Sequence, residues 1–155
     1  MGNICRSPAA EATFRHLVKQ EDLAEAIVCD SAGTIDYHTG AAPDIRMRTA
    51  ARDRGIQMVG TARQIESRDL DKFDLILCMD SENHEYVESL YGGRERKARL
   101  RMFCEFVSDS DAREVPDPYY GGHDGFDDVM DLLEDGCSNL LEYVRKKAHL
   151  NGSLK

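Results

Sequence analysis

Six residues at the start of the chain, Gly2-Asn3-Ile4-Cys5-Arg6-Ser7, stand directly before a helical stretch. That stretch is 8–20 (PAAEATFRHLVKQ), and Pro8 suits a first turn, where a missing N–H costs little. A short loop with Gly and Asn that feeds a helix N-terminus gathers backbone N–H groups at the positive end of a dipole. Arg6 adds a planar fork of donors matched to phosphate or carboxylate oxygens. The parts make a candidate oxyanion site; the plainer reading is a tight turn with an incidental arginine. Such loops in open α/β sheets follow the carboxyl end of a strand. Only Met1 precedes this one, and no strand fits there.

A second candidate is Asp117, set in Val115-Pro116-Asp117-Pro118. Two prolines stiffen that loop and restrict its backbone. Taken alone, an aspartate between prolines reads as a turn residue. The five cysteines (Cys5, Cys29, Cys78, Cys104, Cys137) are odd in number and widely spaced, with no Cys-x-x-Cys pair and no zinc-ligand pattern. The acidic run Asp124, Asp127, Asp128 lacks the spacing of a calcium loop. No metal and no other cofactor is therefore expected. Cysteines without a disulfide pattern, and no signal peptide at the start, point to a reduced, cytoplasmic protein.

The elements around these residues alternate. Ala26–Ser31 is a short apolar run bounded by Ala32-Gly33, read as a buried strand, and Leu75–Met79 (LILCM) reads as another. Asp44–Arg54 reads as a helix stopped at Gly55. Ser81 is placed to cap a helix over Glu82–Tyr91, and Leu100–Phe103 reads as a last strand. The final helix is the clearest. Phe126, Val129, Met130, Leu133, Cys137, Leu140, Leu141 and Val144 recur at steps of three and four. Acidic residues crowd its start and Arg145, Lys146 and Lys147 its end, as the helix dipole favours. Gly136 in its middle costs up to about 1 kcal/mol, which tertiary packing must offset. Alternation of this kind predicts an α/β sandwich around a mostly parallel sheet.

Composition bounds the rest. At 155 residues, 41% apolar and 32% charged, the chain reads as one domain over 1–155. No apolar run approaches the roughly 20 residues of a membrane span. With 20 basic and 29 acidic residues the net charge is −9, so neither nucleic acid nor a membrane is an expected partner.

Gly-Asn-Ile-Cys-Arg-Ser-Pro followed by Ala-Ala-Glu-Ala resembles the phosphate loop of the low-molecular-weight protein tyrosine phosphatases. The likeness continues through Ser31-Ala32-Gly33-Thr34, Ala62-Arg63-Gln64-Ile65, Leu77-Cys78-Met79-Asp80 and Asp117-Pro118-Tyr119-Tyr120-Gly121, in the family's order. It implies a three-layer α/β/α sandwich with a parallel sheet. It also implies hydrolysis of phosphotyrosine in proteins, or of small aryl phosphates, through a phosphocysteine, releasing inorganic phosphate.

By the same resemblance, Arg6 and the backbone of Gly2, Asn3, Ile4, Cys5, Arg6 and Ser7 cradle the phosphoryl group. Asn3, Ser7 and Ser31 brace the loop, with Ser7 donating toward the nucleophile. Asp117 is the general acid, and Tyr37, Tyr119 and Tyr120 flank the substrate ring. A histidine often precedes the Ala-Arg-Gln block by two positions in the family; here that position is Gly60. Family members with a cysteine at the place of Cys5 can pair it with the nucleophile, which this chain does not allow.

The family's nucleophile is a cysteine six residues before the arginine. Counted from Arg6 that position is zero, and none of the five cysteines has an arginine six residues on. The expectation is therefore an N-terminally shortened member, without its usual first, central strand and inactive as it stands. A non-catalytic phosphate- or phosphotyrosine-binding remnant is the alternative. Arsenate reductase of the same fold fits less well, since Cys78 and Cys104 lie far apart. Arginine phosphatases resemble the family too, but commonly carry Thr where this chain has Ile4.

Overall fold

The structure, a computed structural model, describes residues 1–122 and 124–150, with the side chain of Leu150 outside that description. Among the described residues, five α-helices and two strands follow one another: α1 (Arg6–Gln20), α2 (Ile45–Arg52), α3 (Asp69–Lys72), β1 (Leu75–Cys78), α4 (Ser81–Tyr91), β2 (Arg99–Met102) and α5 (Asp124–Leu150). Two 3-10 turns, Phe103–Phe106 and Pro118–Tyr120, lie between β2 and α5.

β1 and β2 pair in parallel, from Leu75 opposite Arg99 to Cys78 opposite Met102, and α4 is the crossover between them. A single parallel bridge joins Gly33 to Gln64. The core lies between α1 and α5. The residues read from period three-to-four in α5 are buried there: Phe126, Val129, Met130, Leu133, Cys137, Leu140 and Leu141. They meet Ala9, Ala10, Phe14 and Val18 of α1. Gly136 is explained by close approach: a Cβ there would stand 2.5 Å from the Phe103 ring. The aromatic ring takes the space that a helix-favouring alanine would fill.

Two local expectations need correction, and one element was not expected. The cap of α4 is Asp80, whose carboxylate accepts the Asn83 N–H at 2.8 Å; Ser81 is the first helical residue. The longer carboxylate side chain of the preceding residue takes the orphan amide. The short helix α3 is polar and non-periodic, and was not foreseen. Ala26–Ser31 is not a strand. Burial alternates along it as a strand's would, with Ile27, Cys29 and Ser31 partly buried and Val28 75% exposed. But a strand is made by its ladder. Among the described residues no backbone hydrogen bond joins 26–32 to 75–79.

A cavity of about 1270 Å³ runs between these two segments, with Ile27, Cys29, Leu75, Leu77, Phe103 and Leu140 among its walls. Of β1, only Cys78 is fully buried. The expected parallel sheet is thus formed by β1 and β2, and the bridge at Gly33 stands apart from it.

Candidate functional site

The cavity reaches the carboxyl end of β1, and there the opening loop sits. Asn3 turns it, with φ of 59°, a left-handed conformation that asparagine tolerates better than most residues. Its buried side chain repays the turn with three hydrogen bonds. Nδ2 donates to Ser7 Oγ at 2.8 Å and to Ser31 Oγ at 3.0 Å, while Oδ1 accepts the Arg63 N–H at 3.1 Å. Thr34 N–H donates to the Met1 carbonyl at 2.8 Å, and Asp44 N–H to the Ile4 carbonyl at 2.8 Å. Gly33 lets the backbones meet. A Cβ there would lie 2.2 Å from the Met1 carbonyl oxygen.

Arg6 opens α1 and is 5% exposed. Its Nη1 donates to Asp80 Oδ2 at 2.6 Å and to the Val115 carbonyl at 2.9 Å. Its Nη2 stands 3.7 Å from Asp117 Oδ2. Val115 N–H in turn donates to the Met79 carbonyl at 2.8 Å, which fixes the proline loop against the end of β1. Asp117 Oδ1 accepts the Tyr119 N–H at 3.0 Å and so caps the 3-10 turn that follows. Arg6 and Asp117, chosen from distant parts of the sequence, therefore face one hollow.

Asp80 was not singled out by sequence. Burial works to raise its pKa, but the Asn83 amide and the Arg6 guanidinium outweigh that and hold it below the usual aspartate range. It is a fixed negative partner that orients the arginine. A readable signal existed: an aspartate directly after an apolar strand, at the start of a helix.

The aromatic residues gather at the rim. Tyr37 is 83% and Tyr120 85% exposed, with Tyr119 less so. Tyr37 meets His38 edge-on at 4.8 Å, His38 lies 6.3 Å from Tyr119, and Tyr119 meets Tyr120 at 5.0 Å between centroids. The Arg46 guanidinium lies over the Tyr119 ring at 5.3 Å. His38 is a rim residue that the sequence reading passed over.

No cysteine among the five is activated. A nucleophilic thiol needs its pKa lowered by a dipole or a cation. Cys5 sits at the start of α1, yet burial pushes it up to about 12, with Asp44 and Asp117 adding to the effect. Burial also pushes Cys29 and Cys78 up to about 12, and raises Cys104 and Cys137. The Met1 amino group in the hollow also has a lowered pKa. Burial is the larger cause and Arg6 adds to it, against Asp80 and Asp117.

Comparison with known proteins follows the same lines. The family described as low molecular weight phosphotyrosine protein phosphatase matches residues 1–150. The low molecular weight protein-tyrosine-phosphatase YfkJ of Bacillus subtilis is 40% identical over 151 residues, covering 97% of this chain and 95% of that protein. The low molecular weight phosphotyrosine protein phosphatase of Homo sapiens is 37% identical, covering 96% and 92%. Among solved structures, a protein tyrosine phosphatase from Entamoeba histolytica with Hepes in its active site superposes with a TM-score of 0.87 at 39% identity, covering 95% of this chain and 94% of that one. The matches run along nearly the whole chain, and they lend no support to the expectation of a shortened domain.

Proposed function

This chain belongs to the low molecular weight phosphotyrosine protein phosphatase family, and on that premise we propose how its residues divide the work of cleaving a phosphotyrosine ester. The phosphoryl dianion lies at the N-terminus of α1, where the amides of the loop and the Arg6 fork receive its oxygens. A thiolate attacks phosphorus as the bond to the phenolic oxygen breaks, and Asp117 gives that oxygen its proton. Water then attacks the phosphocysteine, Asp117 takes the proton back, and inorganic phosphate leaves with the thiolate restored. Tyr37, Tyr119 and Tyr120 form the wall for the aryl ring. The observation that carries this reading is the placement of Arg6 between Asp80 and Asp117 at the end of β1.

The thiolate is the part that residues 1–155 do not supply. No cysteine stands six residues before Arg6, and burial keeps all five thiols protonated. We propose that the sulfur belongs six residues ahead of Arg6, facing the hollow shared by Arg6 and Asp117. The cavity between 26–31 and β1 has room for an extended segment leading to that point. Taken by themselves, residues 1–155 then bind phosphate and aryl phosphates without turning them over.

The test pairs calorimetric binding of inorganic phosphate with hydrolysis of p-nitrophenyl phosphate. Binding without hydrolysis is expected. Neither binding nor hydrolysis would remove the site, and vanadate-sensitive hydrolysis would show that the chain carries its own nucleophile.

A further inference from the structure

One residue of the core reaches both Arg6 and the loop of Asp117. Val115 is 1% exposed, and its side chain packs into the main apolar cluster. Its N–H donates to the Met79 carbonyl at 2.8 Å, just past β1. Its C=O accepts from Arg6 Nη1 at 2.9 Å, the same nitrogen that meets Asp80 Oδ2. A residue before a proline is confined to extended backbone, and there its N–H and C=O point to the same side. Val115 precedes Pro116, so it meets the end of the sheet as a single rung. Its N–H takes the carbonyl that follows the strand, and its C=O takes the arginine.

From that anchor the path to the acid is stiff. Pro116 fixes its own φ, and Asp117, again before a proline, is extended with φ of −82° and ψ of 111°. Pro116 is exposed and has no N–H to donate; what it supplies is rigidity. The Asp117 carboxylate ends 3.7 Å from Arg6 Nη2. One nitrogen of the fork is thus held by Val115, and the other faces the acid that Val115 places two residues on.

We propose that Val115 is a positioning residue: seated in the core, it registers Arg6 against Asp117, with Pro116 as the rigid link. The role rests on the oxyanion site and the acid proposed above. Val115 touches no substrate. It acts through the arginine it holds and the aspartate it carries.

The test separates shape from stability. Val115→Ala leaves a gap in the core and Val115→Thr buries a hydroxyl, so both are expected to lower the melting temperature. Only Val115→Ala loses the shape that seats the backbone. In residues 1–155 it is expected to weaken inorganic phosphate binding roughly fivefold, the worth of about one hydrogen bond. Val115→Thr should restore binding to within about twofold of the unaltered chain. Without phosphate, the Arg6 Nε–H resonance should move in Val115→Ala and stay in place in Val115→Thr. In a chain that carries a cysteine six residues ahead of Arg6, Pro116→Gly frees the acid while Val115 stays seated. Hydrolysis of phenyl phosphate relative to p-nitrophenyl phosphate should then fall at least about threefold. Phosphate binding that follows melting temperature across both Val115 variants, or an unaltered ester ratio in Pro116→Gly, would overturn the proposal. If the unaltered chain binds no phosphate, the oxyanion site itself fails, and the Arg6 resonance still decides whether Val115 aims the arginine.

Discussion

Two regions a few residues apart are built differently. At the start of α1, Arg6, Asn3 and the carbonyls of Met1 and Ile4 each have named partners, drawn from five separated stretches of chain. In the cavity beside it, β1 and Ala26–Ser31 face each other with no backbone hydrogen bond between them. The first region is held by side chains bonded to loops, caps and turns. The second depends on a ladder. The loop can thus be fully bonded where the sheet beside it is open, because side chains and turns rather than a ladder hold it.

The contrast predicts where substitutions hurt. Arg6→Ala should have the largest effect in residues 1–155. It removes the fork and leaves Asp80 without its cation, costing about 3 kcal/mol of stability and at least about a hundredfold in phosphate binding. Urea melts and calorimetry measure both. An unchanged melt would mean that Asp80 is not held by Arg6.

In a protein that carries the nucleophile, Asp117→Asn should cut hydrolysis of phenyl phosphate by at least about a hundredfold while p-nitrophenyl phosphate suffers far less. The poorer leaving group needs the proton more. Equal losses would take the acid's role from Asp117.

Gly136→Ala probes the core that both regions share. The new Cβ meets Phe103 at 2.5 Å, so overpacking of about 1–3 kcal/mol should outweigh the helix-propensity gain of up to about 1 kcal/mol. A more stable variant in thermal melts would mean that Phe103 swings aside freely.

Acid should loosen the first region. Asp44, Asp69 and Asp80 are all held below the usual aspartate range. Unfolded, they take up protons near pH 4; folded, they resist to lower pH. Their stabilisation is present above about pH 4 and is lost as pH falls through their folded values. Melting temperature should fall in that window, and Asp80→Asn should blunt the fall. The smallest effect belongs beside the cavity: Val28→Thr, at a residue 75% exposed, should change stability by less than about 0.5 kcal/mol.

The sequence was legible where one local rule decides the outcome. The period of α5 marked its buried face, and the reading that packing must offset Gly136 finds its partner in Phe103. The loop was legible because Gly, Asn, Arg and a following helix start are contiguous. Its meeting with Asp117 was legible only through likeness to a family, since an aspartate between prolines is otherwise a turn. Asp80 stood in a quoted block without a role, because its partner lies 74 residues away. Ala26–Ser31 misled in the opposite way. Its apolar run and alternation are those of a strand, but a ladder depends on neighbours that local sequence does not name.

The most direct test compares p-nitrophenyl phosphate hydrolysis by residues 1–155 with that of the same chain extended by an apolar segment ending in cysteine directly before Met1. No vanadate-sensitive turnover is expected from the first and robust turnover from the second. Equal activity in the two would place the nucleophile among residues already present and contradict it.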